Sequence, residues 1–131
     1  MTTRQSPHSA IRSELRRLED PGKAGVLRGF FKTGPGEYGE GDRFLGIGVP
    51  DIRRVVRRHP GAPAEEVLGL LHSEYHEERL AALLILVGQY QRGDAARKTE
   101  IYRLYLCNTA HINSWDLVDL TAYHIVGDYV F

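Results

Sequence analysis

Two residues near the end of the chain combine chemistry with spacing. In Asn113-Ser114-Trp115-Asp116-Leu117-Val118-Asp119, Trp115 and Asp119 are four apart. On a helix, side chains at i and i+4 lie on one face about one turn apart. A carboxylate would then share a flank with an indole. That pairing suits a cation, or a centre that becomes positive as it reacts. Asp116, between them, falls in the first helical turn, where an acid suits the helix dipole. Val87-Gly88-Gln89-Tyr90 matches Val126-Gly127-Asp128-Tyr129 at an offset of 39 residues. At that offset Asp119 stands where the earlier unit has Leu80, and Trp115 where it has His76. A carboxylate in place of Leu breaks the local rule for burial, and such breaks mark functional sites. The plainer alternatives are a solvent-facing acid and a core aromatic.

A second constellation is basic. Arg53, Arg54, Arg57 and Arg58 fall along one helical stripe opposite Ile52, Val55 and Val56. Four guanidiniums so spaced can meet successive phosphates of a nucleic-acid backbone, although a solvated amphipathic face has the same pattern. The run Gly34-Pro35-Gly36-Glu37-Tyr38-Gly39-Glu40-Gly41 contains a formal GxGxxG. No strand precedes it, no helix opens at its end, and Glu37, Glu40 and Asp42 would repel phosphates, so it is no dinucleotide site. It fits a flexible surface loop carrying one aromatic, Tyr38, which joins the arginines as a DNA-binding candidate. His72 and His76 are also four apart, but Ser73 separates two helices there and no third metal ligand is apparent. Cys107 has no patterned His, and no Ser sits in an elbow motif, so no nucleophile is assigned.

The elements that carry these residues are helical. Ser6-Pro7 opens a first helix with Ile11, Leu15 and Leu18 on its apolar side, running to about Glu19. Asp20-Pro21 opens a second, with Val26, Leu27, Phe30 and Phe31, ended by Gly34. A loop runs to about Val49. Pro50 opens a third helix, stopped at His59-Pro60, and Pro63 opens a fourth. A long fifth runs from about Glu74 to Arg92. A sixth spans Ala95 to Asn108, using Ile101, Leu104, Tyr105 and Leu106. Asn113 or Ser114 caps a seventh that reaches about Gly127. No segment alternates like a strand and no hairpin signal appears, so the fold class is all-α. The 39-residue offset matches the helix-pair period of HEAT-type and armadillo-type solenoids, which bend into a concave surface. The expected architecture is an α-α superhelix of HEAT-like repeats forming one domain over residues 1–131. It ends at Tyr129-Val130-Phe131 without a polar capping helix, as the N-terminal portion of a longer domain would.

Composition excludes several classes. At 131 residues and 42% apolar, the chain fits one packed domain. Lys plus Arg and Asp plus Glu are 17 each, so it is no bulk polycation. The charge is nonetheless uneven: residues 1–60 hold 12 basic and 7 acidic side chains, and residues 61–131 hold 5 and 10. Such asymmetry fits a polyanion facing one end. A single Cys excludes an internal disulfide framework and a Cys-rich zinc site. No apolar run is long enough to span a membrane and no secretory signal is visible, so a soluble cytoplasmic protein is expected.

Several segments together resemble a known family. They are Phe30-Phe31-Lys32-Thr33-Gly34-Pro35-Gly36-Glu37-Tyr38-Gly39-Glu40-Gly41-Asp42, Phe44-Leu45-Gly46-Ile47-Gly48-Val49-Pro50-Asp51-Ile52-Arg53, Leu71-His72-Ser73 with Glu77-Glu78-Arg79-Leu80-Ala81-Ala82-Leu83, and the run from Asn113 to Asp119. In this order they resemble the bacterial DNA alkylation repair enzymes of HEAT-like repeats, the AlkD-like DNA glycosylases, over about residues 10 to 131. The most specific signals are the Gly-Val-Pro loop before the arginine helix and the Trp-Asp-x-x-Asp run.

The resemblance implies an all-α solenoid whose concave face cradles duplex DNA and excises cationic alkylated bases such as N3-alkyladenine and N7-alkylguanine. It implies Asp119 as the catalytic carboxylate and Trp115 as an aromatic wall beside the lesion. It implies no metal, no organic cofactor and no obligate protein partner. The family's further aromatic and arginine, from later repeats, have no counterpart in this chain. Gly48, in the loop before Pro50, offers no side chain to DNA, and the family manages without the deep pocket of base-flipping glycosylases. The alternative is a non-catalytic helical-repeat scaffold that binds DNA or protein, because fold does not fix function.

Overall fold

Prolines mark where helices begin. Pro fixes φ near the helical value and lacks the N–H that a first turn leaves unpaired, so it starts helices well. In the computed structural model, which describes residues 8–30, 42–112 and 115–130, α2 (Pro21–Phe30) opens on Pro21 and α3 (Val49–Arg57) carries Pro50 in its first turn. Pro63 is the N-cap of α4 (Ala64–Leu71). Of His8, Ser9, Phe30, Trp115, Asp116, Asp119 and Leu120 only the backbone is described. The other helices are α1 (His8–Arg17), α5 (His76–Arg92), α6 (Ala95–Cys107) and α7 (Trp115–Ala122). A 3-10 turn (Thr109–His111) precedes α7. Beyond α7 a π turn (Tyr123–Gly127) leads into a short α8 (Asp128–Val130). The fold is all-α: among the described residues the only β pairing is a single bridge between Arg43 and Tyr75. No helix among them is long and apolar enough to cross a membrane.

The helices pack around α5. α4 packs along α5, α1 covers α3 and α4, and α6 and α7 follow against the other side of α5. α5 is the central element, with every residue from His76 to Leu86 buried. Its sequence explains this, because Leu80 to Val87 is apolar on all sides and leaves no solvent face. Both stretches related by the 39-residue offset are helical, positions 76–83 in α5 and positions 115–122 in α7. The two matched tetrads meet where the Tyr90 hydroxyl donates to Asp128 at 2.9 Å.

The packing corrects parts of the sequence reading. Val26 does not belong to the apolar stripe of α2: it is 73% exposed, and Ala24 is the buried contact instead. Leu18 falls beyond the end of α1, and Leu106 faces outward on α6. The last helical stretch runs through Gly127 to Val130 rather than stopping there. The proposed caps Ser6, Gly34, Asn113 and Ser114 lie outside the described residues.

Candidate nucleic-acid interface

The first turn of α5 organises its surroundings, and each of its four leading residues holds a different piece. The His76 N–H donates to the Arg43 carbonyl at 2.8 Å, and its ring stacks on Phe44 with centroids 4.7 Å apart. Glu77 accepts three backbone N–H groups, from Leu45 at 2.8 Å, Gly46 at 2.9 Å and Ile47 at 3.2 Å. Glu78, fully buried, takes Arg12 Nε at 3.1 Å, Arg16 Nε at 2.9 Å and the Ser73 hydroxyl at 2.6 Å. Arg79 donates to the Ser73 carbonyl at 2.9 Å and to Asp42 at 2.7 Å. Buried charges persist when paired and hydrogen-bonded, and these are, with Arg79 Nε alone left without a hydrogen bond among the described residues.

Glu77 thereby fixes the loop that delivers α3. Gly46 lies at φ 87°, and a Cβ there would come within 2.1 Å of the Asp20 carbonyl oxygen. Only glycine permits that approach, which lets Asp20 N–H donate to the Leu45 carbonyl at 2.7 Å. The loop is thus tied to the start of α2 on one side and to α5 on the other. Beside it lies an apolar groove of about 430 Å³, lined in part by Val26, Leu27, Ile47 and Leu80.

α3 presents the basic stripe. Ile52 and Val55 are buried and Val56 half-buried, while Arg53, Arg54, Arg57 and Arg58 are all exposed. The four differ in charge balance. Arg54 pairs with Asp51 at 2.7 Å and Arg58 with Glu14 at 2.8 Å. Arg53 and Arg57 have no ion pair among the described residues. Glu14 also holds His59. Burial opposes the charge of Glu14, but the hydrogen bonds and charges of His59 and Arg58 outweigh it and bring the carboxyl below its ordinary value. Glu66, buried nearby on α4, goes the other way: burial raises its pKa, and His59 offsets this only partly.

α7 carries the other candidate pair. Leu117, Thr121 and, in the π turn, Ile125 are fully buried. The Thr121 hydroxyl donates to the Leu117 carbonyl and lies 2.8 Å from the Tyr105 hydroxyl. At 100° per residue, positions 115 and 119 fall together on the side of α7 opposite Leu117. Both positions are on α7, while their side chains, like the whole of Tyr38, lie outside what is described.

The approach to α7 is anchored from the preceding unit. His72 Nε2 lies 2.8 Å from Asn108 Oδ1, and the Asn108 amide donates to the Leu104 carbonyl at 2.8 Å. Since the amide nitrogen is the donor there, His72 Nε2 must be the protonated nitrogen facing Asn108 Oδ1. The His72 ring stacks on His111 with centroids 4.2 Å apart. Burial, then His72 and Arg79, push the His111 pKa below its ordinary value. Pairing with α6 thus accounts for His72, not metal ligation with His76. Among the described residues no group of three or more His, Cys, Asp or Glu side chains is placed to hold a metal.

The sequence reading missed Glu77, Glu78 and Arg79 as structural centres. Acids in a first helical turn normally face water and serve the dipole. The available signal was the unbroken apolar run that follows, since a helix buried on all sides buries its first turn too. Comparison with curated proteins and with solved structures gave no match. The model of the DNA alkylation repair enzyme family matches residues 11–131, which takes in α3, the first turn of α5 and α7, and the chain belongs to that family.

Proposed function

We propose that this protein is a DNA glycosylase that hydrolyses the N-glycosidic bond of cationic alkylated purines, N3-alkyladenine and N7-alkylguanine, in duplex DNA. The observation that carries the reading is that positions 115 and 119 stand one turn apart on α7, away from its core-facing side, within the family match. Asp119 is the catalytic carboxylate and Trp115 the aromatic wall. An alkylated purine that already bears a positive charge leaves readily. The C1′–N bond breaks with its electron pair retained by the base nitrogen, which neutralises the ring. Positive charge then builds on the sugar, where Asp119 stabilises it and orients a water molecule. That water adds to C1′ and releases its proton to the carboxylate or to solvent. The Trp115 face attracts the cationic nucleotide, contributing about 0.5–2 kcal/mol according to desolvation. A neutral base gains neither effect, which supplies the selectivity. The α3 arginines hold backbone phosphates without reading sequence, and Tyr38 contributes an aromatic contact.

The test is release of N7-methylguanine from methylated duplex. Asp119→Asn should slow release about 100-fold or more while leaving affinity for undamaged duplex intact. Equal release by the variant overturns the role of Asp119. Duplex binding by the unaltered protein with no release of any alkylated base supports the scaffold reading instead.

A further inference from the structure

A third polar feature adjoins His72, whose ring stacks on His111 ahead of α7, and is used neither by α3 nor by α7. A cleft of about 390 Å³ opens between α1 and the α4–α5 turn, lined among others by Arg12, Arg16, Gly69, His72, Glu74 and Tyr75. Its charge balance is unequal. Arg12 and Arg16 share one carboxylate, Glu78, whose side chain is fully buried. Glu74, the other acid on the rim, is taken by Arg43 at 2.9 Å. Glu19 also bears on Arg16, but it is exposed and screened by water. Arg12 and Arg16 therefore have a single buried carboxylate between them, and their remaining acid neighbour, Glu19, is solvent-screened.

The two guanidiniums are also held in place. Arg12 uses Nε on Glu78 and Nη2 on the Gly69 carbonyl at 3.2 Å. Arg16 uses Nε on Glu78 and lies over the Tyr75 ring, 4.7 Å from its centroid. Their side chains are still 31% and 45% exposed. Donors on Arg12 Nη1 and on both terminal nitrogens of Arg16 therefore remain for a ligand, on side chains whose freedom has already been lost. A fork of fixed guanidinium donors matches an anion bearing two equivalent oxygens, which is the chemistry of a phosphodiester.

The position of the cleft selects the source of that phosphodiester. His72 lines it and also stacks on His111. Trp115 follows four residues later, no more than about 14 Å of extended chain. We infer that this cleft binds one backbone phosphate of the DNA strand that presents its lesion to α7, and so sets the register of that strand. The inference rests on the proposed DNA reading for the identity of the ligand, not on base excision.

The experiment measures the affinity of the full chain for unmodified duplex as a function of salt, for Arg16→Gln and for Arg17→Gln. Arg17 is its exposed neighbour on α1 and controls for bulk charge. Arg16→Gln leaves Glu78 paired with Arg12 and Ser73, and a thermal melt checks that the variant is folded. Arg16→Lys, which keeps the charge and loses the fork, serves if it is not. Loss of one phosphate contact should weaken binding about tenfold at low salt and reduce the slope of log K against log salt by about 0.9. Arg17→Gln should leave the slope unchanged, and Arg16→Lys should lose affinity while retaining most of the slope. Equal effects of Arg16→Gln and Arg17→Gln, or none from either, overturn the cleft while leaving the DNA reading standing. Competition by inorganic phosphate with no change in duplex affinity on Arg16→Gln also overturns it, in favour of a free-anion site. Failure of the unaltered chain to bind duplex at all would fall on the DNA reading itself.

Discussion

Glu77→Gln isolates one carboxylate that positions a whole loop. The side chain is buried and its two oxygens accept three backbone N–H groups, from Leu45, Gly46 and Ile47. Gln matches Glu in shape but offers a single acceptor oxygen. Placed where Oε2 lies, that oxygen keeps Gly46 and Ile47 and turns an NH2 toward the Leu45 N–H. Placed where Oε1 lies, it keeps Leu45 and strands the other two. Hydrogen bonds to a charged group contribute about 1.5–3 kcal/mol each, and an unsatisfied buried donor costs about 1–3 kcal/mol. The expected loss is about 2–4 kcal/mol. For a domain of this size that corresponds to a fall in Tm of about 8–15 °C. Glu65→Gln, on an exposed first-turn acid of α4, should stay within about 0.5 kcal/mol of the unaltered protein. Thermal melts followed by circular dichroism measure both. Amide exchange at Leu45, Gly46 and Ile47 should accelerate in Glu77→Gln before exchange in α5 does. A melt within 2 °C of the unaltered protein, with those three amides still protected, would refute the clamp.

Two further outcomes follow from the charges around α3. Because Arg54 and Arg58 already pair with Asp51 and Glu14, reversal of Arg53 and Arg57 to Glu should weaken duplex binding more than reversal of Arg54 and Arg58, by about tenfold at low salt. Equal losses, measured by fluorescence anisotropy, would show that the ion pairs do not tune the stripe. Glu14 and Glu66 should show opposite pH behaviour. The lowered pKa of Glu14 adds stability above the unfolded carboxyl value near 4.5, and that stability disappears as pH falls through its folded-state pKa. The raised pKa of Glu66 makes its ionised form a cost, which is relieved as pH falls. Glu14→Gln should therefore lower Tm at pH 7.5 and Glu66→Gln should raise it, with both differences shrinking by pH 3.5. Shifts of the same sign at pH 7.5 would contradict the opposed environments.

The elements were legible because their boundaries are chemical. Pro21, Pro50 and Pro63 fix helix starts through φ and the missing N–H, whatever the tertiary context. Exposure was less legible because it depends on neighbours. Val26 has the right spacing on α2, but the close approach of Gly46 to Asp20 and Ala24 turns the Ala24 side inward and leaves Val26 outside. Gly127 has the type of a helix terminator, yet the chain passes through it in a π turn, as Gly88 lies within α5. The arginine stripe was legible from spacing alone. The Arg54–Asp51 pair is local, three residues apart, but the pairing of Arg58 was not legible, because Glu14 is 44 residues away in sequence. The cleft at Arg12 and Arg16 was hidden for the same reason, since both reach across to Glu78 from another helix.

The 39-residue register aligns the first turn of α5 with positions 115–119 of α7, and the residues that differ bear on the proposed roles. His76, Glu77, Glu78 and Leu80 in α5 stand where Trp115, Asp116, Leu117 and Asp119 stand in α7. In α5 the acids are at the second and third positions, and both are consumed: Glu77 by three backbone donors, Glu78 by two arginines and a serine. Carboxylates so engaged and so buried are out of reach of a substrate. In α7 the third position is Leu117, buried in the core, and the acid has moved to the fifth, on the far side of the helix from that core. On the proposed reading, that shift takes the acid off the core-facing side of α7 and leaves position 119 for a ligand. Reversing the logic gives a specific expectation: exchange of Leu117 and Asp119 would bury a carboxylate without partners beside Thr121. The exchanged chain should lose both stability and base release, whereas Asp119→Asn should lose release alone. If Asp119→Asn also lowered Tm by several degrees, Asp119 would be a structural acid like Glu77, and the glycosylase reading would lose its carboxylate.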